Sequence, residues 1–349
     1  MIQVGIIGAA GLSGQELLYW LADHPDAEVK VATSTKFQGQ DIHQTFPFLP
    51  KHHLSFSGHD EELSDCDVVF LAIPNRASLE NAPKLVEQGL RVIDLSGVYR
   101  IREIPVFEES YGLKHSSPEL LKEAVFGLPE YFRSSIGSAR LVANPGCYPT
   151  GFLAAVRPLV DNNLLNQKSL LTVSAISGYS GGGSKLIERY EARSAMHPEQ
   201  LWHARPYALG LKHKHIPEMQ VLASLANEPI FLPVVGHFHQ GMLVSFPIHQ
   251  EQLTRQTSPE AVHALLSERY ANEPCINVMP LNADDALDQG FLDPEGANGT
   301  NRIDLLVYGH QKQMVLIARL DNLGKGAAGA AVQNLNLMLQ ANELEGLRL

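Results

Sequence analysis

Cysteine is scarce in this sequence. The 349 residues contain three, Cys66, Cys147 and Cys275, at wide intervals. An odd and scattered set does not build a disulfide framework, and no pair has the C-x-x-C spacing typical of structural zinc sites. We therefore expect no metal site, and we expect at least one thiol that takes part in no disulfide and can react.

Basic residues are outnumbered and form no long cluster. Lysine and arginine total 27 against 38 aspartates and glutamates, which gives a formal net charge of −11. Binding to a phosphate backbone requires a basic surface, so we expect no nucleic-acid partner.

Long apolar runs are also missing. The opening stretch MIQVGIIGAAGLSG is apolar, but no basic segment precedes it and glycines interrupt it. No later run approaches the roughly 20 apolar residues that span a bilayer. We expect a cytoplasmic protein with no membrane partner.

The pattern of apolar residues predicts two domains. Near the start, the short apolar runs in IQVGIIGAAG and AEVKVATSTKF flank the helical pattern GQELLYWLADHP. With the further buried-strand candidates DVVFLAIP and RVIDLSG, this order predicts an α/β domain with a Rossmann-type, doubly wound parallel sheet. Domains usually contain roughly 100 to 200 residues, so a chain of 349 residues is long enough for a second domain.

The second predicted domain has a different pattern of helix and strand candidates. The helical stretch TGFLAAVRPLVDNNLL leads to the longer strand candidates KSLLTVSAISG and FLPVVGHFHQGMLVSFPIH. These predict an α+β domain with a largely antiparallel sheet. The last segment is helical from about Gly326 and is expected to return to the first domain. The predicted domains are residues 1–148 with 325–349, for cofactor binding, and 149–324, for catalysis, substrate binding and oligomerisation.

A glycine-rich turn follows the first predicted strand and opens a helix. Such a turn lets the backbone approach a pyrophosphate, and the helix N-terminus offers N–H groups to it. Glycines also make ordinary tight turns, but here strand, turn, helix and second strand occur together, so we predict a dinucleotide site. The predicted contacts in this turn are Gly8, Ala10, Gly11, Leu12, Ser13 and Gly14.

The end of the second predicted strand indicates which dinucleotide binds. An NAD-selective site usually carries an acidic residue there, whereas this chain has Ser34, Thr35 and Lys36. Hydroxyl groups and a lysine can bind a 2′-phosphate, so NADP is favoured. The alternative is that Lys36 is an ordinary solvated lysine.

The stretch NPGCYPT presents Cys147 as a candidate nucleophile. Pro145 and Gly146 form a turn, and the apolar pattern that follows places the cysteine at or just before a helix N-terminus. The helix dipole favours thiolate over thiol there. The alternative is a buried, inert cysteine, which is the interpretation we prefer for Cys66 and Cys275.

Two histidine pairs are candidates for acid–base chemistry. In LKHKHIPEM, His213 and His215 alternate with lysines, and both rings face one side if the segment is extended. An H-x-H pair is also a common metal fragment, but no third ligand accompanies it. The pair His237 and His239 has the same ambiguity, and a catalytic role is less expected there.

The loop SGYSGGGSK, residues 177–185, follows a long predicted strand. Its backbone N–H groups and Lys185 can bind an anion, although a flexible surface loop has a similar composition.

Taken together, these motifs resemble those of the N-acetyl-gamma-glutamyl-phosphate reductases, over essentially the whole chain. The motifs that carry the resemblance are GAAGLSGQELL, DLSGVYRI, FGLPE, NPGCYPT, SGYSGGGSK, HKHIPEM, GTNRIDL and DNLGKGAAGAAVQNLN. The resemblance implies reduction of an acyl phosphate to a semialdehyde with NADPH, through a thioester on Cys147. It assigns the acid–base role to His213 or His215 and implies a homodimer or homotetramer.

The resemblance also adds site residues. The implied cofactor contacts are Pro74, Ser96, Ser177, Gly178, Asn322 and Lys325. The implied substrate contacts are Asn144, Ser180, Gly181, Gly182, Lys185 and Arg205, with a lysine beside the histidines such as Lys212. This chain departs from the family's pattern at Asn75, Ser184 and Gln240, and we expect these changes to affect anion contacts and not the chemistry.

Two rival functions remain open at this point. One is reduction of a related acyl phosphate, either aspartyl phosphate or a carrier-bound aminoadipyl phosphate, although an acidic chain is poorly suited to an acidic carrier. The other is a nucleotide-binding regulator that kept the fold and lost the reaction. The rate at which Cys147 is alkylated distinguishes such a regulator from an enzyme, because a catalytic cysteine should react faster than free cysteine at neutral pH.

Overall fold

The computed structural model describes residues 1–59 and 61–349. Within them the chain forms two compact units. The first comprises Met1–Pro145 with Ala327–Arg348, and the second comprises Gly146–Gly326 with Leu349. No described helix is long and apolar enough to cross a membrane.

The first unit is built on a parallel sheet. Among the described residues its strands are β1 (Ile2–Ile7), β2 (Ala27–Thr33), β3 (Val68–Leu71), β4 (Arg91–Asp94), β5 (Val125–Phe126) and β6 (Leu141–Ala143). They lie in the order β2-β1-β3-β4-β6-β5, and each neighbouring pair is parallel. This is the doubly wound sheet that the sequence predicts.

Helices cover both faces of this sheet. Side chains alternate between the faces of a strand, so Val68 and Phe70 belong to one apolar cluster while Val69 and Leu71 belong to another. The continuous apolar strands of the sequence follow from this double coverage. The helices are α1 (Leu12–Leu21), α2 (Ile42–Thr45), α3 (Asn75–Glu87), α4 (Ile104–Tyr111), α5 (Pro118–Glu123), α6 (Pro129–Ser138) and α11 (Gly329–Met338).

The C-terminal helix belongs to this first unit. Val332 and Leu335 of α11 are fully buried in the same apolar cluster as Leu17 and Leu18 of α1. Helix α11 therefore packs in the core of the first unit. The five residues before α11, Gly324–Ala328, form a π-helical turn.

The second unit contains a mixed sheet. Its described strands are β7 (Thr172–Ser177), β8 (Ala204–Pro206), β9 (Ile230–Gly236), β10 (Met242–His249), β11 (Ile276–Val278), β12 (Ile303–His310) and β13 (Gln313–Leu320), in the order β11-β12-β13-β10-β7-β9-β8. The β11/β12 and β7/β9 pairs are parallel and the others are antiparallel. The predicted largely antiparallel sheet is confirmed.

One face of this sheet is covered by helix. The helices of the unit are α7 (Cys147–Asp161), α8 (Ser184–Met196), α9 (Ile216–Leu222) and α10 (Pro259–Tyr270). Helix α7 approaches the sheet closely at Gly151, where an added Cβ would lie 3.1 Å from the Ala318 side chain. On the opposite face, called here the outer face, Ile230 and Leu232 of β9 are 49% and 41% exposed.

Candidate active site

Cys147 is the first residue of α7, a helix of fifteen residues. The preceding residue, Gly146, is its extended N-cap. Cys147 is half-buried. The first turn of a helix carries N–H groups without intrahelical partners and the positive end of the dipole, so this position stabilises a thiolate.

The imidazole of His215 packs against Gly146. A Cβ built at Gly146 would lie 2.6 Å from Nε2 of His215, closer than real Cβ contacts come. A glycine is therefore required for the ring to occupy this position. The ring lies beside the residue that directly precedes Cys147, which separates His215 from His213 as the candidate acid–base group.

A buried glutamate joins the same group. Glu218 lies on α9, three residues after His215, and its Oε2 accepts a hydrogen bond from the Gly146 N–H at 3.2 Å. Its Oε1 lies 4.0 Å from Nε2 of His215, and both side chains are buried. The carboxylate can hold the N-cap and stabilise a protonated imidazole. Sequence reasoning missed Glu218, although its H-x-x-E spacing on a helix was a usable signal.

His213 has both ring nitrogens occupied. Its Nδ1 accepts from the His215 N–H at 3.1 Å, and Nε2 lies 3.5 Å from the Tyr207 hydroxyl, which donates to the Tyr148 hydroxyl. Burial, and secondly Lys214, lowers the pKa of His213 to about 4. The neutral ring therefore holds the turn before α9. The segment is not extended, because α9 starts at Ile216, directly after His215. The two imidazole rings are still in contact, with 4.8 Å between their centres.

A cavity of about 550 Å³ lies beside these residues in the second unit, with Tyr148 and His213 in its wall. Lys185, Arg189, Arg205 and Lys214 also line it. Neither aspartate nor glutamate is among its lining residues, and within residues 1–59 and 61–349 no ion pair engages these four cations. In a chain of net charge −11, this cavity is a local reversal of sign that suits an anion.

Several predicted contacts line this cavity. They are Ser177, Gly178, Gly181, Gly182, Lys185 and Arg205. Lys212 is exposed and does not line the cavity, whereas Lys214 does. Arg189 was not anticipated from the sequence.

The glycine-rich loop is an ordered turn. Tyr179–Gly182 form a 3-10 turn, and α8 starts at Ser184, so Lys185 lies in the first turn of a helix. Gly178 packs against the chain at His239, where a Cβ would lie 2.4 Å from a backbone oxygen. The buried Ser180 accepts from the Asn322 amide at 3.0 Å.

The segment after β13 is tied to the loop before β10. The Asn322 side chain accepts from the Gly241 N–H at 2.8 Å, and the Gln240 amide donates to the Asp321 carboxylate at 2.5 Å. Gln240 therefore supports Asp321 and is not part of the cavity wall. Lys325, a predicted cofactor contact, is completely buried in the π-helical turn.

In the first unit, the glycines of the opening turn are required for different reasons. Gly8 has a φ of +88°, and a Cβ on it would lie 2.5 Å from the Ala72 carbonyl oxygen. A Cβ on Gly14 would lie 2.4 Å from the Gly8 oxygen. At Gly11 the nearest atom would be 3.4 Å away, so the protein itself leaves room there. That room, and the unpaired N–H groups expected in the first turn of α1 at Leu12 and Ser13, fit a pyrophosphate.

The residues after β2 differ in exposure. Ser34 is buried and its hydroxyl accepts from the Phe37 N–H, whereas Thr35 and Lys36 are exposed. The Lys36 ammonium lies 4.8 Å from the centre of the Phe37 ring. A hydroxyl and an ammonium group thus remain accessible at this strand end, as a 2′-phosphate contact requires.

Three further predicted residues of the first unit have structural contacts. Pro74 is the N-cap of α3, and Ser96 is buried and donates to the Asp94 carboxylate at 2.7 Å. Burial raises the pKa of Asp94 despite its hydrogen bonds from Ser96 and Ser78. The Asn144 amide donates to the Ala327 carbonyl and its side-chain oxygen accepts from Asn334.

The two other cysteines and the second predicted histidine pair, His237 and His239, have packing roles. Burial, with Asp65 and Asp67, raises the pKa of Cys66 to about 11, so this thiol stays protonated. Cys275 is completely buried. His237 and His239 pack around the Tyr179 ring, at 6.2 and 5.5 Å between ring centres.

Comparison with known proteins assigns both units to one group. Residues 3–139 match the semialdehyde dehydrogenase NAD-binding domain, and residues 147–322 match the semialdehyde dehydrogenase dimerisation domain. The N-acetyl-gamma-glutamyl-phosphate reductase of Laribacter hongkongensis (strain HLHK9) is 38% identical over 100% of this chain and 98% of its own. The chain belongs to the N-acetyl-gamma-glutamyl-phosphate reductase family.

One further relative supports the assignment, and one solved structure shows the same fold. The N-acetyl-gamma-glutamyl-phosphate reductase of Acidithiobacillus ferrooxidans (strain ATCC 53993 / BNL-5-31) is 36% identical over 99% of this chain and 98% of its own. Aspartate semialdehyde dehydrogenase II of Vibrio cholerae has the same fold, with a TM-score of 0.73 over 97% of this chain and 98% of its own at 16% identity. The resemblance and fold class predicted from the sequence are confirmed, and the chain is an oxidoreductase with an NAD(P)-binding domain.

Proposed function

We propose that this chain reduces N-acetyl-γ-glutamyl phosphate with NADPH, yielding N-acetyl-glutamate semialdehyde and phosphate. The observation that carries the proposal is the group formed by Cys147 at a helix N-terminus, the His215 ring packed on Gly146, and the buried Glu218 carboxylate. The names of the reductases that match the whole chain support the choice of substrate.

Cys147 acts as the nucleophile. Its thiolate attacks the carbonyl carbon of the acyl phosphate, a carbon–sulfur bond forms, and phosphate leaves with the electron pair of the carbon–oxygen bond. The product is a thioester on Cys147. NADPH, when bound, supplies the hydride that reduces this carbonyl. Collapse of the resulting thiohemiacetal then returns the thiolate and releases the aldehyde.

His215 is the proposed general acid–base residue. As an imidazolium it stabilises the neighbouring thiolate, and it protonates the oxygen that becomes negative when the thioester is reduced. The Glu218 carboxylate, 4.0 Å from the ring, favours the protonated form. His213 positions this pair, because its low pKa of about 4 leaves it neutral and its Nδ1 holds the His215 backbone.

The basic cavity takes the substrate. Lys185 and the backbone of the Gly181–Gly182 turn bind phosphate, since N–H groups in a turn and an ammonium group suit a compact polyanion. The predicted substrate roles of Asn144, Ser180 and Lys212 remain proposals, and the bonds of Asn144 to Ala327 and Asn334 favour a structural part for that residue.

NADP(H) is the proposed cofactor. The room at Gly11 and the first-turn N–H groups of α1 receive the pyrophosphate, and Thr35 and Lys36 bind the 2′-phosphate. Ser34 contributes by holding the turn, through its bond from the Phe37 N–H. Pro74, Ser96, Ser177, Gly178, Asn322 and Lys325 are proposed as the remaining contacts.

The proposed assembly is a homodimer formed through the outer face. Ile230 and Leu232 expose apolar surface on that face, where Val234 and Ile317 are half-buried. Two copies packed on this surface would remove it from water, as the matched dimerisation domain of residues 147–322 supports. Measurement of molar mass by light scattering, with Leu232→Glu as the disrupting variant, tests the dimer.

The experiment for the proposed reaction is the reverse assay. NADP reduction is followed at 340 nm (the NADPH absorbance band) with N-acetyl-glutamate semialdehyde and phosphate, beside aspartate semialdehyde. A phosphate-dependent preference for the acetylated aldehyde is expected. Preference for the aspartate compound, or no turnover of either aldehyde while NADPH binds, would refute the proposed substrate.

A further inference from the structure

The cavity wall contains two arginines, Arg189 and Arg205, to which the proposed chemistry gives no role. Lys185 and Arg189 are four residues apart on α8, so they share one helix face at a separation of about one turn. Lys185 lies beside the glycine-rich turn. Arg189 lies farther along the helix, next to Tyr190, and both line the cavity with Arg205.

Arg205 is held in place by an aromatic ring. Its guanidinium carbon lies 4.1 Å from the centre of the Trp202 ring, and that of Arg189 lies 5.4 Å from the same ring. A planar guanidinium stacked on an indole loses little further freedom when it forms a bidentate bond to a carboxylate. Within the described part of the chain, neither guanidinium forms an ion pair with a carboxylate.

Tyr190 provides the second, independent observation. The residue is 2% exposed, and its hydroxyl has no hydrogen-bond partner among the described residues. The ring is fixed by stacking on Tyr179 at 4.9 Å and by an edge contact with Trp202 at 5.2 Å. Arg189, Tyr190 and Arg205 line the same cavity. Burial raises the pKa of Tyr190, while Arg205 and Arg189 act on it in the opposite direction. A buried hydroxyl without an acceptor is costly, and an anion between the two guanidiniums would supply one.

We propose that Arg189, Tyr190 and Arg205 form a carboxylate-binding subsite, with Trp202 as the residue that positions Arg205. The subsite binds the α-carboxylate of the substrate, while the glycine-rich turn and Lys185 bind the phosphate. This assignment rests on the proposed function. It restricts the substrate class to acyl phosphates that carry a carboxylate at a distance from the reacting carbonyl.

Binding of two inert ligands isolates the carboxylate. N-acetyl-glutamate and 4-acetamidobutyrate differ only in the α-carboxylate, and calorimetry with the full chain measures both. The wild-type chain is expected to prefer N-acetyl-glutamate by about 10- to 100-fold, the value of a charge-assisted hydrogen-bond set. Arg189→Met should remove most of that preference, and Tyr190→Phe should reduce it by about 10-fold. Retention of 4-acetamidobutyrate binding shows that each variant is folded.

Arg193→Met is the matched control. Arg193 also lies over the Trp202 ring, at 5.5 Å, but its guanidinium donates to Gln200 and is outside the cavity wall. Its loss should leave the preference unchanged. No preference in the wild-type chain, or equal loss in Arg193→Met and Arg189→Met, would overturn the subsite.

Trp202 has its own test as a positioning residue. Trp202→Phe keeps an aromatic face for Arg205 and should retain the preference, whereas Trp202→Leu should lose it; equal behaviour of the two variants contradicts the positioning role. Because these measurements need no turnover, the subsite and the proposed reaction can fail separately. Retained preference without turnover of N-acetyl-glutamate semialdehyde rejects the reaction and keeps the subsite.

Discussion

The two units provide their candidate site residues in different ways. In the first, the glycine-rich turn offers backbone N–H groups at the end of β1, and its requirements are local: Gly8 and Gly14 are fixed by close contacts within the same turn and with Ala72. In the second, the site consists of side chains from distant segments, such as Glu218 bonded to Gly146 across 72 residues. A backbone site is thus encoded in a short stretch, whereas a side-chain site depends on packing.

The largest effect is expected at the nucleophile of the second unit. Cys147→Ser should lower aldehyde formation by more than about 1,000-fold, because a serine hydroxyl is a far weaker nucleophile at neutral pH and forms no thioester. NADPH binding, measured by fluorescence titration, should remain unchanged. A variant that keeps more than a few per cent of wild-type turnover would show that the thiol is not the nucleophile.

A glycine in each unit sharpens the comparison. Gly146→Ala should reduce kcat by about 100-fold, because the new Cβ would lie 2.6 Å from Nε2 of His215 and displace the imidazole. The rate of Cys147 alkylation by iodoacetamide should fall with it. Gly11→Ala is the matched change in the first unit: it should raise KM for the cofactor and leave alkylation unaffected, since its Cβ meets nothing closer than 3.4 Å. Slower alkylation in Gly11→Ala, or an unchanged alkylation rate in Gly146→Ala, would contradict the assignment of Gly11 to the cofactor site and Gly146 to the catalytic site.

The next effect concerns cofactor choice in the first unit. Lys36→Glu should weaken NADPH binding by about 10- to 100-fold through loss of an ion pair and added repulsion, and should leave NADH affinity nearly unchanged. Lys30→Glu, on the exposed side of β2, is the control for net charge. Equal losses for NADPH and NADH would remove Lys36 as the contact for the 2′-phosphate.

The smallest effect is on stability at acid pH. The folded pKa of His213 is about 4 against 6.5 for the free side chain, so the unfolded chain binds the proton first as pH falls. Stability is therefore intact above pH 6.5 and decreases towards pH 4, by on the order of 1 to 2 kcal/mol at pH 5. His52 and His115 act in the same direction. His213→Asn should show a smaller drop in Tm between pH 7 and 5 than the wild type, and an identical drop would disprove the assignment.

The features predicted from sequence are those with short-range causes. The parallel sheet follows from continuous apolar runs such as Val68–Leu71, which helices cover on both faces. The start of α7 at Cys147 follows from the turn made by Pro145 and Gly146. The mixed sheet was predicted in its main character because long alternating strands need only one covered face.

The features that were missed depend on tertiary contacts or on where a helix begins. The extended form considered for His213 and His215 does not occur because Pro217 favours a helix start at that point. The loop read as continuing to Lys185 ends earlier, at Gly183 with φ of +76°, after which α8 begins. Arg189 joins the cavity only because α8 continues for another turn past Lys185, and no local pattern distinguishes it from a surface arginine.

The discontinuity of the first unit has a consequence for biosynthesis. Residues 146–326 are contiguous, so the second unit can be complete as soon as that segment has left the ribosome. The first unit cannot be, because Val332 and Leu335 of α11 fill its core and are translated after residues 146–326. At about 5 to 20 residues per second, the cluster around Leu17 and Leu18 waits on the order of 10 s or more for its last members. The apolar core of the first unit is thus completed only at the end of synthesis, although the unit begins at the N-terminal end of the chain.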